Sequence, residues 1–281
     1  MQFSQEIDYL IVGHVCQDLT PEGPRLGGTA TFGALMAQML GLRVGILTST
    51  SPKINALLSP LRSIPLVCVP SEQPTTFKNT YTPDGRVQML LMRAQDLRWQ
   101  DLPLEWRNPA IVHLAPVANE VDPALAGRFN GALVGVTPQG WMRSWDEYGQ
   151  VSFQPWVNAH QVLDHTWGVV FSIEDVEGDE DFVQYLASQA DVLVVTRGPE
   201  GCTLYIQGHP THIPAPQIPE RDTTGAGDVF AVAFFARLKA TNDPLASARF
   251  ATALASDSVT RIGLESIPNT ETIQAALNSL E

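Results

Sequence analysis

Asp222-Thr223-Thr224-Gly225-Ala226-Gly227-Asp228 is the stretch of sequence on which the assignment of the fold depends. An apolar helical run, Val229 to Leu238, follows it directly. The two glycines have no Cβ, so the backbone can turn tightly and a ligand can approach it closely. The first N–H groups of the following helix have no partner within the helix, and the helix dipole adds positive potential there. The stretch therefore predicts an anion-binding turn at the start of a helix.

The last residue of this stretch, Asp228, adds a carboxylate at the same helix start. In that place it could take the proton of a hydroxyl group while the neighbouring amides stabilise charge on a transferring phosphoryl group. The alternative is that Asp228 is an ordinary acid of a first helical turn and that the glycines form a plain turn. We favour the chemical interpretation, because the glycines and the acid all fall where phosphoryl transfer needs them.

Away from this stretch, apolar runs alternate with helical patterns. The apolar, β-branched runs predict short buried strands at Ile7 to Val12, Val44 to Thr48, Ile111 to Leu114, Ala132 to Val136, Val169 to Ile173 and Val192 to Thr196. Helices are predicted at Thr29 to Leu40, Ile54 to Leu61, Pro123 to Phe129, Asp181 to Gln189, Val229 to Leu238, Pro244 to Val259 and Thr270 to Leu280. Continuous apolar strands separated by helices indicate one α/β domain, residues 1–281, with a mostly parallel sheet covered on both faces.

One segment, residues 75–93, breaks the alternation. Two strand-like runs, Thr75 to Tyr81 and Arg86 to Arg93, flank the turn sequence Pro83-Asp84-Gly85. The segment therefore predicts a hairpin. It either extends the sheet or forms a flap over the crevice at the carboxyl ends of the strands, where ligands bind in such folds.

Charge and composition exclude several classes of partner. The chain has 30 acidic and 17 basic residues, a net charge of −13, and this balance repels nucleic acid and anionic membranes. No apolar run approaches the roughly 20 residues of a membrane span, and the N-terminus does not resemble a signal peptide, so we expect a cytoplasmic protein. The three cysteines are far apart, which predicts buried free thiols rather than a disulfide or zinc site.

The heptapeptide at 222–228 resembles the C-terminal signature of the ribokinase-like (phosphofructokinase-B, PfkB) carbohydrate kinases, Asp-Thr-x-Gly-Ala-Gly-Asp, without a departure. The resemblance implies a three-layer α/β/α sandwich with a small β lid, and a kinase that uses ATP and Mg²⁺. It implies that Asp228 is the general base and that Gly225, Ala226 and Gly227 form the anion hole.

Other segments match the family in the expected order. Leu10-Ile11-Val12-Gly13 followed by Asp18, and the pair Gly27-Gly28 opening a helix, resemble the parts that bind the substrate. Val195 to Gly201 and Ala255 to Gly263 resemble the parts that flank the nucleotide. The resemblance thus implies nucleotide contacts at Thr196, Arg197, Gly198, Gly201 and Thr223. For Arg197, a surface position is the alternative.

Two places depart from the family pattern. Phe32 stands where many members have an Asn that contacts the sugar, so the identity of the sugar cannot be carried over. Thr29 and Thr31 either supply hydroxyls to the substrate there, or cap and pack the helix. The family's Asn-x-x-Glu near the metal appears here as Ser172 to Asp175. Asp175 is then an indirect metal ligand, or a solvated acid.

The lid and the acceptor site are the last parts that the resemblance addresses. The linker between Gly13 and Gly27 is shorter than the usual lid insertion, so we expect a reduced lid made by the 75–93 hairpin alone, and a monomer or weak homodimer. Gln139 to Arg143, at a strand end, looks similar to a myo-inositol-kinase-like branch, with Gln139 on a polyol hydroxyl and Arg143 on an anionic group. The alternatives are a nucleoside kinase of the same family and a noncatalytic binding or regulatory protein.

Overall fold

The computed structural model describes residues 6–82, 85–157 and 159–279. Strands that form the main sheet are β1 (Tyr9–Val12), β4 (Val44–Thr50), β5 (Leu66–Pro70), β8 (Ile111–Leu114), β9 (Leu133–Val136), β12 (Gly168–Ser172), β13 (Val192–Thr196), β14 (Cys202–Ile206) and β15 (His209–Ile213). The remaining strands are β2 (Cys16–Thr20), β3 (Gly23–Gly27), β6 (Thr76–Thr82), β7 (Gly85–Met92), β10 (Arg143–Trp145) and β11 (Val151–Phe153). The α-helices are α1 (Thr29–Met39), α2 (His160–Leu163), α3 (Glu180–Gln189), α4 (Ala226–Thr241), α5 (Pro244–Ser258) and α6 (Thr270–Asn278).

Nine strands of the described residues form one sheet in the order β15-β14-β13-β12-β9-β8-β1-β4-β5. All of its pairings are parallel except those of β14 with β13 and with β15. Strands β1, β8 and β9 are buried along their whole length, which explains their continuous apolar sequences.

Alternate residues of β1 point into two separate hydrophobic cores. Tyr9 and Ile11 belong to the core shared with α1, α4, α5 and α6, whereas Leu10 and Val12 belong to the core that includes α3. Helices therefore cover both faces of the sheet, and the predicted α/β/α sandwich is confirmed. Parallel strands have their carboxyl ends at one edge of the sheet, and the loops that follow them meet there.

Above that edge lies a second sheet, which we call the lid. Its four strands have the order β3-β2-β6-β7, and β2 runs parallel to β6 with Gln17 opposite Thr76. The prediction of a lid formed by the 75–93 hairpin alone is therefore wrong, because residues 16–27 supply a second hairpin. The ribbon of β10 and β11 supports the lid, since the Leu90 N–H donates to the Gly149 carbonyl at 2.8 Å.

Most predicted elements are present, with ends that differ by at most three residues. The predicted helix at Ile54 to Leu61 is wrong: two separate 3₁₀ turns, Pro52–Ile54 and Ser59–Leu61, lie there, and each has a proline at its start. The segment Pro123–Arg128 is also a 3₁₀ helix rather than an α-helix. Of the turn predicted at Pro83-Asp84-Gly85, the first two residues lie outside the described residues. Leu280 at the end of the last predicted helix does so too.

The cysteines agree only in part with the prediction of buried free thiols. Cys16 and Cys202 are buried free thiols, but Cys68 is exposed. In the described part of the chain, no helix combines the length and the apolar character needed to cross a bilayer.

Candidate active site

A cavity of about 420 Å³ lies between the lid and the carboxyl-terminal edge of the main sheet. The lid contributes Asp18, Phe77, Asn79 and Gln88 to its wall. Loops that follow the strands contribute Thr137, Gln139, Arg143, Ser172, Asp175, Thr196, Gly198 and Gly201. The opposite wall consists of residues 223–228 at the start of α4 and of residues from the last turns of α5. The cavity thus brings together most of the residues that the sequence indicated.

The turn before α4 has the geometry expected of an anion-binding site. Gly225 is the N-cap of α4, with φ of 83°, and no side chain caps the helix. A Cβ on Gly225 would come within 2.2 Å of the Phe32 ring. A Cβ on Gly227 would meet no atom within 4 Å, because it would point into open space. Phe32 therefore supports the turn from behind, while Gly227 leaves the uncapped amides accessible.

Asp228 lies in the first turn of α4 and lines the cavity. Loss of solvation in this position raises the pKa of Asp228 to about 7. A hydrogen bond from Thr29 and the charge of Arg143 act against this rise, whereas the negative charges of Asp175 and Asp18 add to it. A carboxylate with a pKa near neutrality is well suited to accept a proton from a hydroxyl group.

Asp18, on β2 of the lid, faces the same cavity and depends on a glycine beside it. A Cβ on Gly27 would come within 1.9 Å of Asp18 Oδ2, so only glycine leaves room for this carboxylate. Gly28 has φ of 87° and is the N-cap of α1, and a Cβ on it would come within 2.6 Å of the His14 carbonyl oxygen. The Gly27-Gly28 pair thus shapes the wall around Asp18.

Gln139, Arg143 and Asp175 lie together on the wall beneath the lid. Gln139 Nε2 donates to Asp175 Oδ1 at 2.5 Å. Arg143 Nη1 donates to the Val117 carbonyl at 2.9 Å, and its guanidinium lies 5.6 Å from the centre of the Phe77 ring. The 3₁₀ helix Pro138–Met142 carries the chain from Gln139 to Arg143.

The second oxygen of Asp175 is also engaged, because Oδ2 accepts the Ser172 N–H at 2.9 Å in a capping box. Ser172, the counterpart of the family's Asn, has its hydroxyl bonded to the Glu174 N–H. Across the described residues, no group of three His, Cys, Asp or Glu side chains is arranged to hold a metal ion. Asp175 still lines the cavity, so an indirect role near a hydrated Mg²⁺ is compatible with its position.

Two residues predicted to bind ligands point elsewhere. Arg197 does not line the cavity: its guanidinium donates to both carboxylate oxygens of Glu180, at 2.5 and 3.0 Å, and to the Thr203 hydroxyl. Thr31 is fully buried, and its hydroxyl donates to the Gly27 carbonyl at 2.7 Å. For Arg197 and Thr31, the structure thus favours the structural alternatives. The other predicted nucleotide contacts, Thr196, Gly198, Gly201 and Thr223, all line the cavity.

Sequence reasoning missed three lid residues that line the cavity: Phe77, Asn79 and Gln88. Gln88 Nε2 donates to Asn79 Oδ1 at 2.9 Å, which joins the two carboxamides across β6 and β7. The sequence did contain a signal for two of them. Side chains two positions apart in a strand lie on the same face, so Phe77 and Asn79 share one face of β6. Trp141 and Trp156 are a buried stacked pair with ring centres 5.3 Å apart, so packing rather than ligand stacking is their role.

Comparison with known proteins agrees with this geometry. A sequence model of the family described as "pfkB family carbohydrate kinase" matches residues 164–271, which include the turn at 222–228. Residues 164–271 are thus similar in sequence to the PfkB family. No curated protein sequence matches the chain.

Solved structures of ribokinase-family proteins match nearly the whole chain. A pyrophosphate-dependent kinase of the ribokinase family, in complex with a pyrophosphate analogue and myo-inositol, is 18% identical with a TM-score of 0.80, over 95% of this chain and 99% of that one. Arabidopsis thaliana ribokinase, in complex with ribose and ATP, is 19% identical with a TM-score of 0.75, over 97% and 99%. A nucleoside kinase from Methanocaldococcus jannaschii is 20% identical with a TM-score of 0.72, over 98% and 100%. At these identities the likeness establishes the fold.

Proposed function

We propose that this ribokinase-fold protein is an ATP-dependent kinase that phosphorylates an alcohol group of a small neutral polyol, either a cyclitol such as myo-inositol or a sugar. The observation that carries the proposal is the position of Asp228. It lies beside the uncapped amides of α4 and lines the same cavity as Asp18. The cavity thus combines a candidate proton acceptor, an anion site and a carboxylate that can bind the phosphoryl acceptor.

In this proposal Asp18 accepts a hydrogen bond from the acceptor and orients it. One carboxylate oxygen of Asp228 takes the proton of the reacting hydroxyl. The N–H groups at Gly225 to Gly227 stabilise the negative charge of the phosphoryl group as it moves. Positioning and electrostatics suffice, and no covalent intermediate on the protein is required.

The donor side of the cavity suits a nucleotide. Its wall includes Ala215, Pro216, Ile218, Ala255 and Val259, whose apolar groups can contact the faces of a base. When bound, ATP with Mg²⁺ supplies the phosphoryl group and neutralises the charge that develops on it. Asp175 and Glu174 line the cavity near the strand end and are the candidates to bind the water shell of the metal.

Charge in the cavity supports a neutral acceptor. Among the described residues, its wall holds five acids (Asp18, Glu174, Asp175, Glu220 and Asp228), whereas Arg143 is the one lysine or arginine. This excess of acid repels an acceptor that already carries a phosphate. We therefore expect a cyclitol or a neutral sugar to react faster than fructose 6-phosphate.

The carboxamide pair of the lid supports the same acceptor class. Gln88 Nε2 bonds Asn79 Oδ1, and within the described residues the Asn79 amide nitrogen and the Gln88 carbonyl oxygen have no hydrogen bond of their own, so both can contact a ligand. One donor and one acceptor at the lid, with Asp18 beside them, complement a ring with several hydroxyls. A solved protein of the same fold, a pyrophosphate-dependent myo-inositol-1 kinase, was converted into a myo-inositol-3 kinase by two substitutions.

A nucleoside is the second candidate for the acceptor, because Phe32 and Phe77 provide apolar contacts that suit a base. A noncatalytic binding or regulatory role is the third alternative. The position of Asp228 disfavours it, since a binding protein has no need of a proton acceptor beside an anion site. Pyrophosphate is the alternative donor, because a relative of the same fold depends on it.

A panel of donors and acceptors tests the proposal. Turnover would be measured with ATP and with pyrophosphate, each against myo-inositol, ribose, fructose, adenosine and fructose 6-phosphate, with Asp228→Asn as the control for contaminating kinases. We expect the highest kcat/KM with ATP and a neutral polyol. Preference for fructose 6-phosphate would contradict the acceptor class. Absence of turnover with every pair would contradict the kinase assignment.

We propose that the protein is a cytoplasmic monomer or weak homodimer. A reduced lid would have favoured the monomer, and the four-stranded lid removes that support. Sedimentation equilibrium of the purified protein would measure the state directly.

A further inference from the structure

Glu120 is a buried carboxylate outside the cavity. It is 1% exposed, and within the described residues its side chain accepts three backbone N–H groups. His14 N–H donates to Oε1 at 3.0 Å, Ala118 N–H donates to Oε2 at 2.7 Å, and Val117 N–H lies 3.1 Å from both oxygens. A buried carboxylate is costly unless such bonds compensate it, so this arrangement requires all three donors to stay in place.

These three amides belong to two different strand ends. His14 follows β1 and leads into the first strand of the lid, whereas Val117 and Ala118 follow β8. Glu120 therefore ties the segment that begins the lid to the segment that follows β8. Each of these segments in turn bonds a part of the active site.

On one side, the bonds lead to Arg143. The peptide group of Val117 has its N–H fixed by Glu120, and its carbonyl accepts Arg143 Nη1 at 2.9 Å. Arg143 lines the cavity and lies beside the Phe77 ring of the lid. A shift of the Val117 carbonyl would therefore move the guanidinium.

On the other side, the bonds lead to the base of the lid hairpin. His14 Nε2 bonds the Gln95 carbonyl at 2.8 Å, so this nitrogen carries the proton. His14 Nδ1 then accepts from the Thr75 hydroxyl at 2.7 Å, and the Thr75 oxygen also accepts the Ala94 N–H. Burial lowers the pKa of His14, which keeps the ring in this neutral form. Thr75 precedes β6 and residues 94–95 follow β7, so both ends of the lid hairpin are attached to His14.

We infer that Glu120 is a positioning residue that fixes the position of the lid relative to Arg143. It thereby determines how tightly the phosphoryl acceptor is bound. It touches neither the acceptor nor the donor. Its effect on turnover rests on the proposed function. Its effect on the order of the lid base does not, so the two can fail separately.

The test uses the full-length chain with Glu120→Gln, which places an amide donor among three backbone donors. The control is Glu105→Gln, which changes an exposed glutamate in a 3₁₀ turn away from the cavity. We expect the acceptor KM to rise about 10-fold or more, while the donor KM stays within about twofold. Hydrogen exchange should become faster in peptides that cover 13–18, 75–95 and 115–121, but not in 226–241.

A second variant, Thr75→Val, removes the hydroxyl that joins His14 to the lid hairpin and that also accepts the Ala94 N–H. It should speed exchange at 75–95 and raise the acceptor KM less than Glu120→Gln does, and it carries the test if Glu120→Gln does not fold. Equal rises of the acceptor and donor KM, or a lower Tm with unchanged kinetics, would overturn the inference, since a merely structural residue gives that result. Unchanged exchange at 75–95 in Thr75→Val would overturn it without any measurement of turnover.

Discussion

The carboxylate of Asp18 lies where the side chain of residue 27 would be, and a Cβ on Gly27 would come within 1.9 Å of Asp18 Oδ2. The two residues are on the paired lid strands β2 and β3, close to the first turn of α1. The missing side chain of Gly27 therefore leaves the space that the Asp18 carboxylate occupies. A requirement for glycine in this place follows from the packing of protein atoms alone, before any ligand is considered.

Gly27→Ala tests that relationship. The added methyl group must displace the Asp18 carboxylate from the cavity wall, so we expect a higher acceptor KM and a lower kcat, as for Asp18→Ala. Steady-state kinetics of the two variants and of their combination would measure this. The combined variant should be no worse than either single one, because both remove the same contact. Gly33→Ala is the control, since its Cβ would meet only side-chain carbons of Ile11 and Val232, at 3.2 Å.

Asp228→Asn should keep the shape of the turn while removing the proton acceptor. We expect kcat to fall about 10²–10⁴-fold, the usual weight of general base catalysis, with little change in donor affinity. Single-turnover rates and nucleotide titration would separate the two effects. A variant with nearly normal kcat would remove Asp228 from the mechanism.

The pH dependence of the rate follows from the pKa of Asp228, which is about 7 in the free protein. A base must be deprotonated to act, so kcat/KM for the acceptor should rise with pH, bend near 7 and level off above it. Below the bend we expect about a tenfold loss per pH unit. A profile that stays flat from pH 5 to 8 would contradict the assignment of the base.

Stability should have the opposite pH dependence. The pKa of Asp228 is raised from 3.8 to about 7 on folding, so between these values the folded state binds the extra proton and loses stability as the pH rises. Asp228→Asn should therefore raise the free energy of unfolding at pH 8 by about 1–3 kcal/mol relative to its effect at pH 4. Urea denaturation at the two pH values would measure the difference. An equal effect at both pH values would show that folding does not raise the pKa of Asp228.

The two glycines of the turn should respond differently to alanine. Gly227 lines the cavity, and the methyl group of Gly227→Ala would meet no protein atom within 4 Å, so we expect an intact fold with activity strongly reduced. Gly225→Ala should lose stability as well, because φ of 83° and the Phe32 ring both exclude a side chain there. Thermal unfolding and kcat of both variants provide the measurement. A fully active Gly227→Ala protein would mean that the turn has no role in binding the phosphoryl group.

The sequence predicts the central strands well, because residues of β1, β8 and β9 are buried on both faces and must be apolar. It misses β2 and β3, which include the half-buried Asp18 and the exposed Pro24 and whose pairing is visible only in the folded chain. The turn at 222–228 is placed correctly, since local backbone chemistry defines it. The direction of Arg197 could not be predicted, because Glu180, 17 residues earlier, decides it through an ion pair.

The parallel pairing of β2 with β6 has a consequence for folding. Gln17 and Thr76 are neighbours in the lid although 59 positions separate them along the chain. Such non-local contacts form late, because the entropy of closing a long loop must be overcome first. We therefore expect a refolding intermediate that already has the donor side of the cavity but lacks the lid. In stopped-flow refolding, recovery of nucleotide binding should precede recovery of acceptor phosphorylation.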